Sequence, residues 1–166
     1  MVAQQPSQQC FDLAAGFEGC ILTAYDDARP HHVLEPCDTM EGTLTIGRGH
    51  TGPDVYIGLT WTLEQADAQF KADLLEHYRQ MAALVKAPLT QGQTDALTDF
   101  TYQEGSGTLE KSTLLSLLNQ GNYDAVPDQL CRFDGENWHG YVFISGQVST
   151  DLIKRRQAEI ALWNSV

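Results

Sequence analysis

The chemistry-bearing side chains of this chain crowd into one stretch, Phe17 to Gly52, which reads FEGCILTAYDDARPHHVLEPCDTMEGTLTIGRGHTG. It offers carboxyls at Glu18, Asp26, Asp27, Glu35, Asp38 and Glu41, imidazoles at His31, His32 and His50, and thiols at Cys20 and Cys37. Two carboxyls in unlike surroundings can divide acid and base work, one holding a proton while the other stays ionised. Glu18 follows a predicted helix. A helix C-terminus carries partial negative charge and the protein is net negative, so this carboxyl is expected to be pushed toward the protonated form that a general acid needs. An aspartate in the polar, glycine-rich loop beyond it is expected to stay ionised. Taken singly, these residues do not speak for catalysis: a lone Glu after a helix is usually solvated, Asp is a common turn former, and Thr is a common strand residue.

Other readings of the same stretch are weaker. His31, His32, Cys37 and His50 show no recognisable ligand spacing, so no metal site is expected. Gly47-x-Gly49-x-x-Gly52 formally fits a dinucleotide fingerprint, but Pro53-Asp54-Val55-Tyr56 does not open an amphipathic helix and no βαβ alternation follows. No cofactor is expected, and the glycines are read as tight backbone beside the site. His50 is expected to be a hydrogen-bonded histidine tying the hairpin to a helix.

The elements that must position these groups are legible from periodicity. Cys10, Phe11, Leu13, Ala14 and Phe17 recur at near-helical spacing after Ser7, predicting a short helix that ends near Gly16 to Gly19. From Ala24 to Gly58 the pattern breaks into irregular hairpin structure with Thr43 to Ile46 as a small strand, the only credible β region. Thr62-Leu63-Glu64-Gln65 is a capping box opening a long helix over about 63–85, and Thr90 to Gln93 repeats it beyond Pro88. Gly105-Ser106-Gly107 is a break, followed by a leucine-rich helix closed by Asn119-Gln120-Gly121 and a further helix at 124–131. Phe133 to Ser149 reads as loop or weak hairpin, and Thr150 or Asp151 caps a last helix through Trp163.

The chain has 166 residues, 42% apolar and 19% charged, which suits one compact soluble domain. Its net charge of −12 excludes a nucleic-acid binder, because phosphate contacts need a basic face. No window approaches a membrane-spanning length, and the start, MVAQQPSQQC, lacks the order of a signal peptide, so something else is expected to carry the chain if it acts outside the cytoplasm. Cys10, Cys20, Cys37 and Cys131 have no CxxC spacing; free thiols are the default reading, with a bridge among the first three permitted in an oxidising compartment.

Glu18-Gly19, then Ala24-Tyr25-Asp26-Asp27, then Thr45-Ile46-Gly47-Arg48-Gly49-His50-Thr51 resembles the signature of phage-type lysozymes, glycoside hydrolase family 24. The likeness continues through Thr60 to Asp73, Ala87 to Gln91, Gly105 to Asn122 and Leu152 to Glu159, nearly the whole chain in order. It implies an α+β, mostly α-helical fold, with a small β-hairpin lobe at about 18–60 and a larger helical lobe around a cleft, together one domain over 1–166. It implies hydrolysis of the β-1,4 bond between N-acetylmuramic acid and N-acetylglucosamine, with Glu18 protonating the glycosidic oxygen and Asp27, helped by Thr45, readying water. A carboxyl separation of about 6.5 to 9.5 Å would leave room for that water and predict inversion.

The 17 residues between Asp27 and Thr45 exceed the short turn the resemblance implies, and this insertion makes Asp38 a rival to Asp27. Asp27 is favoured because it keeps the expected interval from Glu18. The resemblance also implies that Gln103 stands where an asparagine is usual and contacts substrate, and that a terminal-helix arginine, Arg155 or Arg156, with Arg155 preferred, holds the acid in place. Peptidoglycan strands are the implied partner of a monomer. The anionic surface fits thin periplasmic peptidoglycan better than strongly anionic walls met from outside. Delivery would be by a holin, or by a secretion system with an immunity protein as further partner.

Overall fold

The structure, a computed structural model, describes residues 5–165. Its contacts divide the chain into two compact bodies, one made of the residues up to Phe17 with those from Leu74 onward, the other of Glu18–Asp73.

The first body is helical. Ser7 opens α1 (Gln8–Phe17) with its hydroxyl on the Gln9 N–H at 3.1 Å, and it also hydrogen-bonds Asp95 through its own N–H and hydroxyl. The C-terminal part of α2 (Leu63–Leu84) belongs here. Thr90 caps α3 (Gln91–Glu104) in a full capping box with Gln93, as its spacing predicts. Gly105, at φ 84°, ends that helix in a conformation that favours glycine, and α4 (Ser106–Glu110) follows at once. Ser112 caps α5 (Thr113–Asn119).

The helix expected over 124–131 is a 3₁₀ turn (Tyr123–Ala125) followed by α6 (Val126–Leu130), and Cys131 already belongs to a strand. Ser149, not Thr150 or Asp151, caps α7 (Thr150–Trp163), by accepting the Leu152 N–H. The core gathers Leu97, Phe100, Leu114, Leu118, Val126, Leu130 and Trp163, all buried. Phe133 to Ser149 departs further from expectation, since it holds two antiparallel hairpins. They pair Cys131–Phe133 with Trp138–Gly140, and Phe143–Ile144 with Gln147–Val148. The region at 24–58 is therefore not the only β structure, and these strands of two and three residues are too short for an alternating pattern to register.

The second body is built on β1 (Ile21–Asp26) and β2 (Leu44–Gly47), antiparallel with Tyr25 opposite Thr45 and Asp26 opposite Leu44. Ala24, Ile46 and Val55 form its small core, flanked by Leu44, Leu59 and Trp61. The N-terminal turns of α2 complete it. Thr62 and Gln65 form the expected capping box, each side chain meeting the other's N–H at 3.2 and 2.8 Å. The chain thus has an α+β fold, mostly helical.

Candidate active site

Glu18 follows α1 directly and begins the hairpin body, half-buried. Arg48, from the turn after β2, holds its backbone: Nη1 lies 3.5 Å from the Glu18 carbonyl, while Nε donates to Asp67 of α2 at 3.0 Å and the guanidinium stands 5.8 Å over the Phe70 ring. Arg48 stands within the Thr45–Thr51 motif, but nothing in its residue type or spacing marks it as the group that braces Glu18.

Asp26 and Asp27 are neighbours with opposite fates. Asp26, at the end of β1, is fully buried, and its Oδ1 accepts the N–H groups of Gly42 and Ala28 at 2.8 and 3.1 Å. Its Oδ2 accepts the Glu41 N–H at 2.8 Å and the Arg29 side chain at 3.1 and 3.3 Å. The Glu41 N–H foremost, with Arg29 and the other two amides, holds this carboxyl below the usual carboxylate range despite the opposing cost of burial. Asp26 is the knot at the neck of the insertion.

Asp27 turns the other way and is exposed. Its Oδ1 accepts the Thr43 N–H at 2.7 Å and its own N–H donates to the Thr43 carbonyl at 3.1 Å. Thr45, 3% exposed, donates its hydroxyl to that same carbonyl at 3.0 Å. The backbone of Thr43, a residue not singled out from sequence, therefore orients Asp27 and Thr45 together. Gly42 is needed beside them: a Cβ there would collide with the Asp27 carboxylate and sit 2.8 Å from Asp26 Oδ1 and the Ala28 nitrogen.

Asp38, the rival carboxylate, is used within the insertion. It accepts the Glu35 N–H at 2.8 Å and meets His32 Nε2 at 2.9 Å, and these two contacts, the first foremost, hold it below the usual range. His31 and Cys37 are exposed in the same loop. Among the described residues no group of three or more His, Cys, Asp or Glu is gathered as metal ligands.

His50 links the hairpin to α2. Its Nδ1 lies 2.9 Å from Asp73 and its Nε2 3.2 Å from Asp54, with the ring 5.5 Å from that of Trp61. Its backbone closes a tight turn by exchanging hydrogen bonds with Ile46 at 2.9 and 3.0 Å. Gly47 makes that turn at φ 67°, with the Trp61 ring only 3.1 Å from where a Cβ would stand.

The remaining predicted residues lie in the helical body, on the seam of α3 and α7. Gln103 Oε1 accepts from Arg156 Nη2 at 2.9 Å. Arg155, 4% exposed, sets a two-pronged fork on Asp99, both hydrogen bonds 2.9 Å. Its guanidinium also stands 5.7 Å over the ring of Phe17, the residue before Glu18. Arg156 pairs with Glu159 at 2.8 Å and Glu104 at 3.5 Å. Cys10 and Cys131 are buried, Cys20 is half-buried, and all four cysteines are free thiols.

The phage lysozyme family model matches residues 15–159. The chain is 36% identical over 129 residues to the SAR-endolysin of Escherichia phage Mu, covering 78% of this chain and 70% of that protein. It is 33% identical over 157 residues to an endolysin of Bacillus phage B103, covering 95% of this chain but only 53% of that protein. Among solved structures, the muramidase domain of SpmX from Asticaccaulis excentricus superposes with a TM-score of 0.74 at 27% identity, covering 98% and 99% of the two chains. A P22 lysozyme variant does so with 0.70 at 32% identity, covering 97% and 99%. The chain belongs to the phage lysozyme family, glycoside hydrolase family 24, and is a peptidoglycan-degrading muramidase.

Proposed function

We propose that the chain hydrolyses the β-1,4 bond between N-acetylmuramic acid and N-acetylglucosamine by a single inverting displacement. Glu18 protonates the departing glycosidic oxygen, Asp27 accepts the proton of the attacking water, and Thr45 helps hold that water. The observation that carries this reading is the shared clasp at Thr43, whose backbone orients both Asp27 and Thr45. Asp26 and Asp38 suit the role less well. Each is already spent on holding loop backbone and a cationic or imidazole partner.

In this reading Arg155 steadies the acid, supported by its place over Phe17, while Gln103 and His50 shape the surroundings of substrate and hairpin. The match runs through both bodies, and the reading takes them as one functional unit, acting as a monomer without cofactor. Thin peptidoglycan on the periplasmic side is the proposed target, supported by the SAR-endolysin relatives and by the net charge of −12, which disfavours approach to strongly anionic walls. Among the described residues no helix is long and apolar enough to cross a membrane. Delivery by a holin or by a secretion system are both compatible with this reading.

Product analysis on purified peptidoglycan tests it. The expected result is reducing N-acetylmuramic acid ends of inverted anomeric configuration, with Glu18→Gln and Asp27→Asn losing about three decades or more of turnover and Asp38→Asn no more than about one decade. 1,6-Anhydro ends would instead identify a lytic transglycosylase, which needs the acid but no aspartate. Native turnover by Glu18→Gln would remove the acid assignment.

A further inference from the structure

The insertion between β1 and β2 does more than lengthen the hairpin. It folds back on β1 and encloses a cavity of about 290 Å³, lined by Ile21 and Tyr25 of β1 and by Pro30, His31, Val33 and Leu34 of the loop. The loop is a built structure. Asp26 and Arg29 tie its two ends together, with Arg29 also donating to the Thr39 carbonyl at 2.7 Å. At its outer end Asp38 accepts the Glu35 N–H and meets His32 Nε2, fixing the imidazole that forms part of the cavity wall.

Two properties of this wall restrict what it can hold. Although the protein carries a charge of −12, no carboxylate among the described residues lines the cavity; its polar side chains are those of His31, His32, Tyr25 and Thr23. The rest is aliphatic, and Val33 is 80% exposed at the mouth. Small apolar groups bearing carboxylates are complementary to such a surface, and neutral sugar hydroxyls are not. Tyr25, in the cavity wall, stands on β1 two residues before Asp27.

On the reading that the substrate is peptidoglycan, the geometry points to this cavity as a subsite for the acidic peptide stem on N-acetylmuramic acid, entered by its lactyl and alanyl methyls with a stem carboxylate toward the histidines. The insertion is then a specificity element, distinguishing stem-bearing glycan from bare glycan, and Asp38 is the residue that positions His32 in its wall.

The full chain is tested in two ways. N-acetylmuramyl-L-alanyl-D-glutamate, titrated to millimolar concentration, should shift the methyl resonances of Ile21, Val33 and Leu34; their remaining unmoved would overturn the assignment. Second, kcat/KM is measured on stem-bearing strands and on the same strands stripped by an amidase. Val33→Glu places a like charge at the mouth, at a position exposed enough to spare folding. It should lower the ratio of the two values about tenfold, which is one decade or ~1.4 kcal/mol. Leu34→Glu should do the same from inside, and a ratio unchanged in both variants would refute the subsite. A chain that cleaves neither strand would count against the proposed function, while the titration would still decide the cavity.

Discussion

Asp26 in the hairpin body and Glu159 in the helical body are both fully buried carboxyls beside an arginine, yet their pKa values are driven in opposite directions. Asp26 receives three backbone N–H groups besides Arg29, and these donors outweigh the cost of burial, so it stays ionised. Among the described residues no backbone N–H reaches either oxygen of Glu159. Burial there pushes the carboxyl well above the usual carboxylate range against the pull of Arg156, and the negative charge of the nearby Asp99 pushes the same way. Proximity of a guanidinium therefore does not settle the state of a buried acid. The number of fixed dipoles aimed at it does.

The largest effect is expected where the helical seam loses a charge. Asp99→Leu strands the buried Arg155 without its fork and should cost about 3–5 kcal/mol of stability in chemical denaturation. A loss under about 1 kcal/mol would show that the seam tolerates the loss of this fork. Next, Gly42→Ala thrusts a methyl into the space of the Asp27 carboxylate. If Asp27 serves the water, kcat/KM on peptidoglycan should fall roughly a hundredfold, the scale of an ångström's misplacement. Wild-type kinetics would sever Asp27 from catalysis.

Smaller effects resolve the two protonation states directly. Because the Asp26 pKa is lowered on folding, its contribution is present above the unfolded value of about 3.9 and is lost as pH falls through the folded one. Asp26→Asn should lower Tm at neutral pH and flatten the acid limb of the Tm profile. Glu159 runs in reverse. Its pKa is raised, so its contribution is complete below the unfolded value of about 4.3 and drains away as pH rises toward the folded value. Glu159→Gln should thus change Tm little in mild acid and make it less sensitive to pH above that. An unchanged slope would mean that Glu159 is ionised in the folded protein.

Helix positions were legible because their signals are local. The capping boxes at Thr62 and Thr90 and the stop at Gly105 act within one turn of chain, and each stands where its spacing predicted. The capping residue of α7 was missed by one position, since Ser149, Thr150 and Asp151 are all competent caps in a row. The hairpins of 131–148 were legible only as a weak tendency. Their strands are short, and Gly140, whose Cβ would meet the Leu130 carbonyl, is set by packing against α6.

The family and the candidate residues Glu18, Asp27 and Thr45 were readable from ordered motifs, but the work of Thr43, Arg48 and Asp99 was not. Their roles run through backbone carbonyls or through partners tens of residues away, as with Asp99 and Arg155.

What the order of residues determined alone was therefore the helical framework, the hairpin and the pool of acids from which a site could be drawn, since these depend on contacts a few residues apart. Only the folded chain decided which aspartate of the adjacent pair is locked inside and which faces outward, and which buried acid has its pKa raised rather than lowered. Those outcomes depend on amides and guanidinium groups brought in from distant positions, and the free energy of a charge is set by the dipoles and charges around it rather than by its neighbours in sequence.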